Sequence, residues 1–147
     1  MKRFHFRLEK LLEIRKMQKE QSQITFLQAT NQLRSEKELL TELEGKLAEN
    51  IALINIRQQQ PLTIEIFKSF RYYFDKISAD IVKQKQCIIQ AIEHRETCLH
   101  ALAEAEKNHK IVEKFREKKL QNYQIDALNE EQKSMDEIGL QIYTREK

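Results

Sequence analysis

"INIRQQQPLTIEIF", residues 54–67, holds the only proline in a chain of 147 residues, and how it folds decides the architecture. Pro61 lacks a backbone donor and pushes Gln60 away from helical geometry, so a helix arriving from the N-terminal side has to stop here. Thr63 suits the N-cap of a new helix, with Glu65 near its positive end. Outward in both directions the chain offers almost no other place to turn. It has two glycines, one proline and 33% charged residues, whereas a compact domain needs many turns built from Gly, Pro, Asn and Asp clusters. Long helices or a coiled coil fit this composition, and a thick core or an enclosed active-site pocket does not. The expectation is one all-α domain over residues 1–147. It is an antiparallel two-helix coiled-coil hairpin, with helix 1 at about 3–57, a turn at about 58–62 and a longer helix 2 at about 63–143.

A heptad trace runs along each predicted helix. In the first it passes through Leu8, Leu12, Phe26, Ala29, Leu33, Leu40, Leu43, Leu47 and Ile54. In the second it passes through Phe74, Ile77, Ile81, Ile88, Ala91, Cys98, Leu102, Ala105 and Val112. A repeat averaging 3.5 residues keeps one seam facing a supercoiled partner, and a short turn makes that partner the other arm. Polar residues interrupt both seams: Arg15, Lys19 and Ser22 in the first, Arg95 and His109 in the second. Such residues weaken a two-helix contact and help to fix its register.

Charge is distributed unevenly along the hairpin. Folding about residue 60 brings Lys2, Arg3, Arg7, Lys10, Arg15, Lys16 and Lys19 towards Lys107, Lys110, Lys114, Arg116, Lys118 and Lys119. The open end is therefore basic and can steer an acidic partner. Helix 2 outruns helix 1, leaving the residues past 119 without a partner in the chain. This overhang turns acidic between Asp126 and Glu137, yet Leu128, Met135, Ile138 and Ile142 form an apolar stripe along it. A stripe on an unpaired helix needs another surface to bury it. Near the turn, Phe67, Phe70, Tyr72, Tyr73, Phe74 and Ile77 crowd within eleven residues. They either cap the coiled coil or form an exposed aromatic contact patch.

The sequence also excludes several kinds of chemistry. The formal charge of +3 is too balanced for nucleic-acid binding on charge alone. No apolar run suggests a secretory signal or a membrane span, so a cytosolic protein is expected. Cys87 and Cys98 lie about three helical turns apart, too far to bridge, and serve as apolar fillers. His94 and Cys98 at i, i+4 are only two ligands, so no metal is expected. With no phosphate loop, nucleophile motif or paired carboxylates in a cleft, neither catalysis, a cofactor nor a small-molecule substrate is expected.

Three segments together resemble the flagellar export protein FliJ family. They are "FHFRLEKLLEIRKMQKEQSQ" (4–23), "YYFDKISADIVKQKQ" (72–86) and "FREKKLQNYQIDALNEEQKSMDEIGLQIYTR" (115–145). The likeness spans essentially the whole chain. It implies a cytoplasmic component of the flagellar type III export apparatus, held peripherally on the inner membrane at the flagellar base. The family's coiled coil resembles a rotary-ATPase stalk, and its terminal end inserts into the hexameric export ATPase, FliI. It also contacts the export-gate membrane protein FlhA and binds export chaperones. On this resemblance Arg3, Arg7, Lys10, Arg116, Lys118, Lys119, Met135 and Ile138 are the expected contacts to the ATPase ring. Tyr73, Ile77 and Gln84, with Leu43 and Leu47 on the facing helix, are the expected contacts to the gate. The alternatives are the equivalent stalk of a virulence-type secretion system, a generic basic coiled coil that binds nucleic acid or anionic lipid, and a self-associating rod.

Overall fold

The structure, a computed structural model, describes residues 2–61 and 63–147. It consists of two helices, α1 (Glu9–Arg57) and α2 (Ile64–Glu146), of 49 and 83 residues. They form an antiparallel hairpin with no strand among the described residues. Contacts gather into two compact units, Ser22–Leu102, which contains the turn, and Met1–Gln21 with Ala103–Lys147.

In the turn-containing unit, α1 ends where Gln58 N–H donates to Ile54 O at 2.9 Å and Gln60 N–H donates to Arg57 O at 3.0 Å. Leu62, which falls in the expected turn, lies outside the described residues. Thr63 occupies the N-cap position, its carbonyl accepting from Phe67 N–H at 3.2 Å. Glu65 sits in the first turn of α2, where a carboxylate complements the helix dipole.

The covered positions step by four and three residues on both arms. On α1 they run Phe26, Ala29, Leu33, Glu36, Leu40, Leu43, Leu47, Asn50 and Ile54; on α2, Ile77, Ile81, Gln84, Ile88, Ala91, Arg95, Cys98 and Leu102. The polar members are pinned across the seam. Gln84 Nε2 donates to Glu36 O at 2.8 Å and also to the Glu36 carboxylate. Arg95 Nε donates to Thr30 Oγ1 at 3.2 Å while its guanidinium lies 5.0 Å over the Phe26 ring. Each bond forms at one register only, so a slide along the seam would forfeit it.

Asn50 is the exception. It is only 3% exposed, and its Nδ2 finds no acceptor among the described residues. A buried polar group without a partner costs stability, so Asn50→Leu is expected to stabilise the hairpin by about 1 kcal/mol. A urea unfolding midpoint that rises without a change in slope would confirm this, and a lower midpoint would show that the amide is held.

The other unit departs from the expected helix start. Residues 3–8 are not helical, and α1 begins at Glu9. The cause lies in "FHF". In an extended segment alternate side chains share a face, whereas on a helix they diverge by about 200°. Outside the helix, Phe4 and Phe6 both reach α2. Phe6 is buried against Phe115 with ring centroids 5.9 Å apart, and Phe4 meets Tyr123 at 5.4 Å. This strap carries the covered face of α2 through Leu120 and Tyr123 to Ala127, beyond the expected limit at residue 119. From Leu128 onward every residue is exposed.

Candidate functional site

Two surfaces among the described residues are candidates for contact with a partner. The first combines the strap, the start of α1 and the end of α2. Arg116 Nε donates to the Glu9 carboxylate at 3.0 Å, and its guanidinium lies 5.7 Å from the Phe4 ring centroid. Its charge is therefore engaged within the molecule. Tyr123 completes the fastening, its hydroxyl donating to Lys2 O at 2.6 Å. Lys119 stands 5.4 Å over the Phe115 ring, while Arg3, Arg7, Lys10 and Lys118 are exposed. Of the six expected basic contacts, five thus add to a solvent-facing field, and Arg116 acts as a clasp.

Beyond the clasp, α2 continues as a bare helix to Glu146. Met135 is 71% exposed, and Leu128, Ile138 and Ile142 are more than half exposed. Around them lie Asp126, Glu130, Glu131, Asp136 and Glu137. Among the described residues nothing covers this stripe, so Met135 and Ile138 are open to another surface.

The second surface lies near the turn. The aromatics there do not close over the end of the coiled coil. Tyr72 and Tyr73 are exposed, Phe67 is nearly half exposed, and only Phe70 is half-buried, with the Arg57 guanidinium 5.8 Å from its ring. A groove of about 410 Å³ runs between Leu53 and Asn50 on α1 and Ile66, Phe70 and Tyr73 on α2. A patch rich in exposed aromatics is a natural anchor for a partner.

The expected gate contacts separate here. Tyr73 lines the groove and is 43% exposed. Ile77 is 4% exposed and faces the seam, and Gln84 spends its amide on Glu36. Leu43 and Leu47 are half-buried seam positions. Phe70, a member of the expected aromatic cluster, and Arg57, which the sequence did not point to, are the residues that accompany Tyr73. Arg57 had no signal beyond its place beside the turn. The strap residues Phe4 and Phe6 could have been recognised from their alternation, and Tyr123 from its seam position seven residues after Arg116.

His94 Nε2 and Cys98 Sγ are 3.7 Å apart, and Cys87 and Cys98 are both free. No helix among the described residues is long and apolar enough to cross a membrane.

Comparison with known proteins bears on these surfaces. Residues 4–147 match the family model described as the flagellar FliJ protein. No curated protein matches the sequence. Among solved structures, a chain described as a YscO homolog, CT670 from Chlamydia trachomatis, is similar with a TM-score of 0.62. It is 17% identical, and the match covers 97% of this chain and 96% of that one.

Proposed function

Because the chain belongs to the flagellar FliJ family of type III export proteins, we propose that it is the export stalk. In this reading the overhang and basic end enter the ring of a hexameric, FliI-like export ATPase. The aromatic end meets an FlhA-like export gate and export chaperones. The protein is non-catalytic and acts at the cytoplasmic face of the inner membrane at the flagellar base, promoting the partner's ATP use.

The observation that carries this reading is the exposure of every residue from Leu128 to Glu146 on one uninterrupted helix. Such a helix presents an apolar stripe together with a basic collar, a form suited to a central channel. Arg3, Arg7, Lys10, Lys118 and Lys119 supply the collar, while Arg116 holds the strap that positions Arg3 and Arg7. At the other end, Tyr73 is the gate contact, with Phe70 beside it. Ile77, Gln84, Leu43 and Leu47 shape that surface by holding the two helices in register.

The test is ATP hydrolysis by the purified export ATPase, titrated with the full chain and with a chain ending at Ala127. The truncation removes only exposed residues, so its thermal midpoint should match that of the full chain. Stimulation is expected from the full chain and should be almost entirely lost in the truncation. Equal stimulation by the two would overturn ring entry through the overhang. The equivalent stalk of a virulence-type system is the second reading, favoured by the fold shared with the YscO homolog. A flagellar rather than an injectisome ATPase responding to the chain would decide against it.

A further inference from the structure

We propose that the groove between the N-terminal strap and α2 is a docking site for the overhang of a second copy of this chain. The groove has a volume of about 910 Å³. Phe4, Phe115 and Tyr123 give it an aromatic floor, and Lys2, Arg3, Arg7 and Lys119 outnumber Asp126 along its rim, which is basic on balance. Its occupant should therefore be both apolar and acidic. The overhang is such a segment, with Met135 and Ile138 exposed beside Asp136 and Glu137. Opposite charges at two such surfaces steer their encounter and set their relative orientation.

The two features of one molecule cannot meet each other. The same helix that forms the groove wall continues without a break through the overhang to Glu146, with no proline after Pro61. A continuous helix does not double back onto the face it has just left, so the groove and the overhang engage only in trans. Each chain carries one of each, and an antiparallel crossing of two α2 ends satisfies both contacts through a single two-fold axis. From Leu128 to Glu146 the overhang is about 28 Å long, enough to span the aromatic floor of the other copy. The contact is small and its rim is wet, as in weak, salt-sensitive associations. It covers the same stripe that the proposed stalk function presents to the ATPase. Self-association and ring entry are then mutually exclusive, although the docking does not depend on that function.

Sedimentation velocity of the full chain, over a hundredfold range of concentration and at low and high salt, tests the proposal. Mass is expected to rise towards that of a dimer with concentration and to fall back with salt. Met135→Glu with Ile138→Glu, and separately Arg3→Glu with Arg7→Glu, should each weaken association at least about tenfold. Circular dichroism should show helix content unchanged in both, since all four side chains are exposed. Adding Asp136→Lys and Glu137→Lys to the Arg3 and Arg7 reversal should restore association. A chain that stays monomeric throughout overturns the proposal. So does a dimer indifferent to the Arg3 and Arg7 reversal, which would place the contact between overhangs alone. Failure of the double reversal to restore association also overturns it.

Discussion

Replacing Ile77 with alanine is expected to cost about 3 kcal/mol, the range for removing a buried aliphatic side chain whose surroundings relax only in part. Ile77 is 4% exposed and stands at the turn end of the α2 seam, directly before Ile81. With two helices and one interface, no third element can move in to refill the space. The thermal midpoint should fall by roughly 10 °C. Tyr73→Ala, four residues earlier, removes an exposed ring and should leave the midpoint almost unchanged. Calorimetry of both variants, paired with binding to the cytosolic part of the export gate, separates scaffold from contact. Tyr73→Ala should lose binding at unchanged stability. Ile77→Ala should recover its binding once measured below its midpoint. A stable Ile77→Ala protein would contradict its place in the seam.

Phe6→Ala should have an effect of similar size but different reach. Phe6 is 5% exposed and anchors a segment that precedes α1 and is held to it by few backbone hydrogen bonds, so its loss should cost about 3 kcal/mol locally. The remaining fastenings are the Phe4–Tyr123 ring contact, the Tyr123 hydroxyl on Lys2 O and the Arg116–Glu9 pair. These are few enough for residues 2–8 to detach while α1 and α2 stay paired. Hydrogen exchange should show faster exchange at the N–H of Glu9, which donates to Phe6 O, with the amides around Ile81 and Cys98 still protected. Uniform loss of protection would instead mean that the strap and the coiled coil unfold together.

The hairpin was legible in the sequence because Pro61 is the only strong breaker and the seam repeats over many heptads. Ile81, Cys98 and Val112 fell where the repeat put them. What escaped notice was polar or short. Glu36 and Asn50 occupy seam positions that a trace of apolar residues passes over, and counting steps of three and four would have reached them. Ile77 satisfied the heptad rule and the family resemblance at once, and its burial shows that the repeat was the better guide to its environment. The strap was hidden because Leu8 and Leu12 continue the helical pattern backwards, while the competing two-residue period rests on only Phe4 and Phe6. Whether the turn aromatics cap or protrude could not be decided from their number. It depends on how much surface two helices can cover, and the answer is too little for Tyr72 and Tyr73.

The bare end of α2 is exposed along its whole length from Leu128, so its reach can be altered without disturbing the buried seam. Seven residues inserted after Ala127 would carry the tip about 10 Å outward and turn its apolar face by only about 20°. A three- or four-residue insertion would advance it about half as far and swing that face by roughly 40 to 60°. The overhang is thus a probe of adjustable depth, and heptad-sized steps are the changes in length that keep it aimed.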